Sequence, residues 1–248
     1  MRQAVADLIE SAKAEAMISS KKLRLRINMA MTIDGRVALP DGRWYGLTSD
    51  EDRRRMDCLR LQADALIMGS GSINRDDPSP GMRVVAGDIS AHQLPRVVLI
   101  CRNSLPDRNK KVFYGEGRSP LVLAHHNLQK HKEEYRGLCE FEFGDDSSLL
   151  PLNVLRRLEK LGFQEILLEG GPRLNYAFVN DGLVDIINVT IVPFLLGQHG
   201  IPGLVDGKTS LPEFNLARWQ LFSMERVESE IFIEYHRDNS LRQSEGVT

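Results

Sequence analysis

Four short runs of unbroken apolar residues constrain this chain more than any other feature: Ala65-Leu66-Ile67-Met68, Val97-Val98-Leu99-Ile100, Leu121-Val122-Leu123-Ala124 and Ile166-Leu167-Leu168. Each is too short for a buried helix and has no polar alternate positions, so each reads as a strand covered on both faces. Helical spacing over 151–161 and 173–180 places helices between or after them. Ser49-Asp50-Glu51-Asp52 supplies an N-cap and a first turn of acids for a surface helix reaching about Gln62. The pattern predicts an α/β fold with a mainly parallel central sheet and helices on both faces. Leu23, Leu25, Ile27 and Met29 alternate with polar residues and predict a first strand over 23–30, followed by turns at Asp34-Gly35 and Pro40-Asp41-Gly42. Strands predicted at 184–194, 216–226 and 229–236 have no long helix between them, which implies an antiparallel C-terminal section.

The domain boundaries expected from this pattern are a helical extension over 1–20, one domain over 21–240 and a tail over 241–248. Val5, Leu8, Ile9, Ala12 and Ala16 give the extension its helical spacing. Residues 197–215, with four Gly and two Pro, form the longest irregular stretch and are expected to be a mobile loop.

A net charge of −2 offers no field for nucleic acid or a membrane surface, so an anionic ligand must be held by local Arg and N–H groups. Cys58, Cys101 and Cys139 are odd in number and widely spaced, and no Cys/His ligand spacing occurs. Neither a disulfide framework nor a metal site is expected, and a reducing cytoplasm fits. No run approaches the roughly 18 apolar residues of a membrane span.

Three clusters stand at or beyond the ends of predicted strands, where open α/β sheets bind ligands. They are Asn28 to Gly35, Gly69-Ser70-Gly71-Ser72 continuing to Asp76-Asp77-Pro78 and Arg83, and Glu169-Gly170-Gly171-Pro172-Arg173-Leu174-Asn175. Glycines at a strand-to-helix turn let backbone N–H groups approach a phosphate. Each cluster also has a plain reading: Gly-Gly as a tight turn, Asp-Gly as a hairpin signal, Asp-Asp-Pro as a solvated loop. Glu169 directly follows a buried run, so its carboxylate is either paired within the fold or a ligand contact. The dinucleotide and P-loop fingerprints are absent, and so is a nucleophile elbow.

Taken in order, the clusters resemble the reductase of riboflavin biosynthesis, whose fold is related to dihydrofolate reductase. The resemblance rests on Asn28 to Gly35, Thr48-Ser49, Arg60, Gly69 to Arg83, Glu169-Gly170-Gly171, Asp185, Pro193 and Gly197, and it covers roughly 23–236. It implies an NADPH-dependent, homodimeric enzyme that reduces the ribosyl group of a phosphorylated ribosylamino-pyrimidine to ribityl. Ala30, Thr32, Gly69, Gly71, Ser72 and Asp76 would line the cofactor, with Gly170, Gly171, Pro172, Arg173, Leu174 and Asn175 around its phosphates. Asn28, Ser49, Arg60, Asp77, Pro80, Arg83 and Glu169 would face the substrate, the arginines suiting its 5′-phosphate. Asp34 and Glu169 are the carboxylates placed to stabilise an iminium at C1′ or to relay a proton.

The chain departs from the family pattern at several points. Asn28 stands where the bifunctional bacterial enzymes usually carry Lys, Ser72 where Thr is usual, and Pro80 where Leu is common. Cys101-Arg102 replaces an Asp-Ser/Thr pair, and Arg102 could bind the 2′-phosphate of NADPH or be a plain surface residue. The zinc motif of the deaminase half does not occur in the sequence, which with Asn28 leans the substrate toward the undeaminated diamino-pyrimidinone. The competing readings are a pterin-like heterocycle reductase of the same fold and a non-catalytic nucleotide-binding homologue.

Overall fold

The computed structural model describes residues 23–41, 48–81, 94–115, 117–211 and 219–238. The expected N-terminal helix, the tail and Arg83 lie outside them. Among the described residues, nine strands form one sheet: β1 (Arg24–Thr32), β2 (Ala65–Gly69), β3 (Arg96–Cys101), β4 (Leu121–His125), β5 (Glu140–Gly144), β6 (Glu165–Gly170), β7 (Ile186–Val192), β8 (Trp219–Val227) and β9 (Glu230–Arg237). Their order is β5-β4-β3-β2-β6-β1-β7-β9-β8. The helices are α1 (Asp50–Leu61), α2 (Ser70–Asp76), α3 (Pro151–Lys160) and α4 (Pro172–Asn180), with 3-10 turns at Lys111–Phe113 and His126–Tyr135.

The unbroken apolar runs are β2, β3, β4 and the centre of β6, and both their faces are covered. Ile67, Val98, Ile166 and Leu168 pack with Leu25 and Ile27 against Val154, Leu155 and Leu158 of α3 and Phe178 of α4. Leu66, Met68, Val97, Leu99, Val122 and Leu167 pack on the opposite face against Leu59 of α1, Ile73 of α2 and the 3-10 residues Val112, Phe113 and Tyr135. This alternation of neighbouring residues between two cores is why no polar position interrupts the runs.

In sheet order the strands from β5 to β7 run parallel, β9 runs against β7, and β8 runs against β9. The three C-terminal strands form the antiparallel section that the sequence pattern predicts, with β7 paired against β9 and β9 against β8. β7 pairs in parallel with β1, Asn28 opposite Asn188, because α4 provides the crossover that a parallel connection requires. The glycine-rich stretch after β2 turns directly into a helix, with Gly69 as the N-cap of α2. β5 escapes the sequence pattern altogether. It is a short edge strand in which Phe141 and Phe143 alternate with Glu140 and Glu142, too brief to separate from a loop.

On the α1 side, β1, β7 and β9 carry a polar seam instead of an apolar one. Arg26 donates to Asn188 and Glu234 at 2.7 and 2.9 Å, and Asn188 donates to Glu234 at 2.8 Å. Thr190 donates to Asp52, and the Arg55 guanidinium lies 4.8 Å from the Phe232 ring centroid. Ser49 caps α1 by accepting from Asp52 N, while its own N–H and hydroxyl donate to Glu230 at 2.9 and 2.6 Å. The start of α1 is thus fixed to the β8–β9 hairpin.

Phe178 is 0% exposed and joins α4 to the sheet. Phe178→Ala is expected to lower unfolding free energy by about 3–5 kcal/mol, read as a lower urea midpoint with an unchanged slope.

Candidate active site at the carboxyl edge of the sheet

Parallel strands that carry helices on both faces open a crevice where consecutive connections leave on opposite sides. Here that point lies between β2, which continues into α2 on one face, and β6, which continues into α4 on the other. The sequence clusters converge around it.

Asp34 follows β1. Its Oδ1 accepts from the Thr32 hydroxyl at 2.6 Å and from Leu196 N at 3.2 Å, and its Oδ2 accepts from Gly197 N at 2.8 Å. Thr32 is wholly buried, and its hydroxyl also accepts from Arg36 N. Ile33 N donates to Phe194 O, so the turn after β1 is stitched to the loop after β7. The Thr32 hydroxyl and, next, the Gly197 amide pull the Asp34 carboxyl from 3.8 to about 2. At neutral pH Asp34 is a fixed anion, able to stabilise a cation but not to donate a proton. Leu196 and Gly197, which hold it, were legible only as the family motif around Pro193 and Gly197. Asp185, in the same stretch of motif, lies at the other edge and accepts from Leu25 N at 2.9 Å.

Glu169 sits where the β2–β6 ladder slips, Ile67 pairing with Leu168 and Met68 with Gly170. Such a bulge re-aims a side chain at a sheet edge. The Glu169 carboxylate meets Arg60 in a two-pronged pair, 2.7 Å on each side, with side chains 9% and 3% exposed. Burial alone would lower the Arg60 pKa, but the charge and hydrogen bonds of Glu169 outweigh it and raise it. The remaining Arg60 amino group donates to Ser79 O and Gly81 O at 3.2 and 3.0 Å. Arg60 is thus engaged by the protein itself, orienting Glu169 and pinning the 79–81 segment, where the resemblance implies a phosphate contact.

Other expected substrate contacts also have protein partners. Ser49 serves Glu230, as above. Asp77 accepts from Lys111 N at 2.9 Å. Pro80 is buried and lines a cavity of about 220 Å³ with Leu94, Pro95 and Phe113, on the side of the sheet where β3 and β4 begin. Asn28 differs. It is half-buried, follows the last paired residues of β1 and β6 (Ile27 opposite Leu168) as Glu169 does on β6, and its amide has no partner among the described residues.

The two glycine turns touch. Ser72 Oγ accepts from Gly171 N at 3.1 Å. A methyl group on Gly171 would lie 2.6 Å from that oxygen, and one on Gly170, whose φ is +75°, 2.6 Å from Asn175 Oδ1. Only glycine permits this approach. Gly71 has nothing within 4 Å of where a side chain would begin, leaving the turn open to a ligand. Pro172 occupies the first turn of α4, and Leu174 lies 3.7 Å from the corresponding point on Gly69. Asn175 is buried, donates to Leu204 O at 3.0 Å, and has no partner for Oδ1 among the described residues. Arg173 is exposed, Ala30 is half-buried on the same side of β1 as Asn28, and Asp76 is engaged by Arg75. Open backbone at two turns, with a nine-residue helix starting at one of them, fits the pyrophosphate of a dinucleotide. Among the described residues no group of three His, Cys, Asp or Glu could hold a metal ion, and no helix is long and apolar enough to cross a membrane.

Residues 24–233 match the family described as the RibD C-terminal domain. The chain is 27% identical over 209 residues to the 2,5-diamino-6-ribosylamino-4(3H)-pyrimidinone 5′-phosphate reductase of Methanothermobacter thermautotrophicus, covering 84% of this chain and 95% of that one. It is 30% identical over 204 residues to the riboflavin biosynthesis protein RibD of Mycobacterium tuberculosis, covering 82% of this chain and 51% of RibD, about half that protein's length. In structure it resembles a pyrimidine reductase-like protein of Corynebacterium diphtheriae, with a TM-score of 0.74 at 22% identity, covering 88% and 93% of the two chains.

Two outcomes follow from this geometry. Arg60→Leu leaves Glu169 buried without its partner and is expected to cost about 3–5 kcal/mol, most of it recovered in Arg60→Leu/Glu169→Leu; urea unfolding of the wild type and the two variants checks this. Because the folded-state pKa of Asp34 is depressed, its stabilisation is present above 3.8 and lost as pH falls through about 2. The stability gap between wild type and Asp34→Asn is therefore expected to be full above pH 5 and to shrink toward pH 2.

Proposed function

The chain belongs to the RibD C-terminal domain family, the reductase family of riboflavin biosynthesis, and on this footing we propose that it reduces 2,5-diamino-6-ribosylamino-4(3H)-pyrimidinone 5′-phosphate to its ribityl counterpart with NADPH. The observation that carries the reading is the convergence of Asp34, the Gly69–Ser72 turn and the Glu169–Asn175 segment on one crevice. The likeness to the Methanothermobacter reductase across 95% of its length and the residue Asn28 support the diamino-pyrimidinone over its deaminated form.

A reduced nicotinamide bound in the crevice supplies a hydride. Gly69, Gly71, Ser72 and Gly170 to Asn175 would hold the phosphates of such a cofactor, and Ala30 would line its site. Opening of the ribose, with the C1′–O4′ bond broken and the ring oxygen taking a proton from solvent, gives a C1′ iminium, and hydride addition at C1′ leaves a secondary amine. Asp34, ionised and held by three hydrogen bonds, faces that cation as a preorganised charge. Glu169, already neutralised by Arg60, shapes the wall beside Asn28, whose free amide bonds the substrate. Thr32, wholly buried, acts by holding Asp34.

A second copy of the chain fits β8, the edge strand on which Leu221, Phe222 and Met224 are 55%, 66% and 66% exposed. An apolar edge of this kind is a template for pairing. The proposed enzyme is a homodimer acting on a small molecule in the cytoplasm.

Turnover is measured as loss of the reduced-nicotinamide absorbance with the diamino-pyrimidinone phosphate and with its deaminated form, offered separately. The expected result is turnover of the first, lowered about 10²-fold or more in Asp34→Asn. Exclusive turnover of the deaminated form would reverse the substrate assignment, and binding of NADPH without turnover of either would favour a non-catalytic homologue.

A further inference from the structure

Residues 196–209, after β7, form no helix or strand, yet both ends of the segment are fastened at the crevice. β7, β1 and β6 are neighbours in the sheet, so a chain that leaves β7 for the first turn of α4 passes over the end of β1, where Asp34 stands. Leu196 N and Gly197 N donate to Asp34 on the way. Further on, Ile201 O accepts from the Arg36 guanidinium at 2.7 Å and Pro202 O accepts from Val37 N at 3.1 Å. Gly203 then lies over the same turn, where a methyl group would stand 3.2 Å from Gly35 O.

The far end is seated on α4. Leu204 O accepts from Asn175 Nδ2 at 3.0 Å, and Asp206 N donates to Pro172 O at 3.1 Å. The Tyr176 and Thr209 hydroxyls share a hydrogen bond of 2.9 Å. Gly207 rests so closely on the Tyr176 ring that a methyl group there would collide with it. Residues 196–209 are thus a strap between the turn that holds Asp34 and the turn proposed for the cofactor phosphates.

Asn175 is the buried fastening of that strap. It is 0% exposed, so within the phosphate segment its side chain serves the protein and not the ligand. A leucine would fill the same space without burying an amide, which is unfavourable unless hydrogen-bonded. What the amide adds is direction. Nδ2 is committed to the strap, while Oδ1 faces Gly170, where a methyl group would lie 2.6 Å away. One planar group therefore touches both the strap and the first glycine of the turn, and such a contiguous hydrogen-bonded chain can carry coupling between two sites.

Resting on the cofactor reading above, we propose that Asn175 is a positioning residue for the reduction: through the 196–209 strap it sets the two amides that hold Asp34, so that the cofactor turn and the Asp34 carboxylate move as one body.

Two variants loosen the strap at different points. Asn175→Leu removes the buried fastening, and Gly207→Ala lifts the exposed end off Tyr176 without entering the core, so the test survives if the first variant folds poorly. Hydrogen exchange of the Leu196 and Gly197 amides is followed with and without NADPH, and kcat is measured in the wild-type and Asp34→Asn backgrounds. Both variants are expected to speed exchange of these amides by roughly five- to tenfold, and NADPH to slow it in the wild type only. The kcat is expected to fall roughly tenfold in either variant. With Asn already at position 34 the same changes are expected to cost less than about twofold, because they act on one group. Equal fold losses in both backgrounds, or unchanged exchange in Gly207→Ala, overturn the proposal. So does NADPH that binds the wild type without slowing these amides. Exchange is read without substrate, so a wild type that binds NADPH but turns over neither pyrimidine ends the reductase reading and leaves the strap to stand or fall on exchange. A wild type that binds no dinucleotide overturns the cofactor reading and this proposal with it.

Discussion

Leu66, Leu99 and Leu167 on one face of the sheet, and Ile67, Val98 and Ile166 on the other, leave the central parallel strands no open surface. Polar groups cannot stand on either face without a partner, so ligand chemistry is driven to the ends of the strands. At the carboxyl edge the backbone must still reverse into helices, and its N–H groups there are free of the ladder. That single constraint explains why Asp34, Ser72, Glu169 and Gly171 assemble at one place although they are far apart in the sequence.

The polar residues nearest the crevice are held by each other before any ligand arrives. Asp34 is fixed by Thr32, Leu196 and Gly197, and Glu169 by Arg60. The two carboxylates differ in consequence. The first keeps a charge in a part-exposed turn; the second shares its charge with a buried guanidinium. Two acids that look equivalent in sequence are thereby given different tasks, one electrostatic and one architectural.

Much of the fold was legible because burial on both faces leaves a distinctive pattern in β2, β3, β4 and β6, and because the Ser49 cap is a local signal. The direction of β7 was not, since β7 would look the same whether it ran with or against β1. β5 was not, since a short strand at an edge needs few apolar residues. In the site, the glycines were readable from their place after apolar runs. The partners of Arg60, Ser49 and Asp77 were not, because a side chain's partner 109, 181 or even 34 residues away leaves no local trace.

The amino-acid sequence by itself determined the secondary-structure alphabet, the glycine and acid clusters at the strand ends and, through ordered motifs, the family. These depend on local propensity and on the periodicity with which apolar residues meet the core. Tertiary structure decided which carboxylate is held as an anion by hydroxyl and backbone donors and which arginine is already engaged. Those properties follow from distances and burial between remote segments, and packing alone sets them.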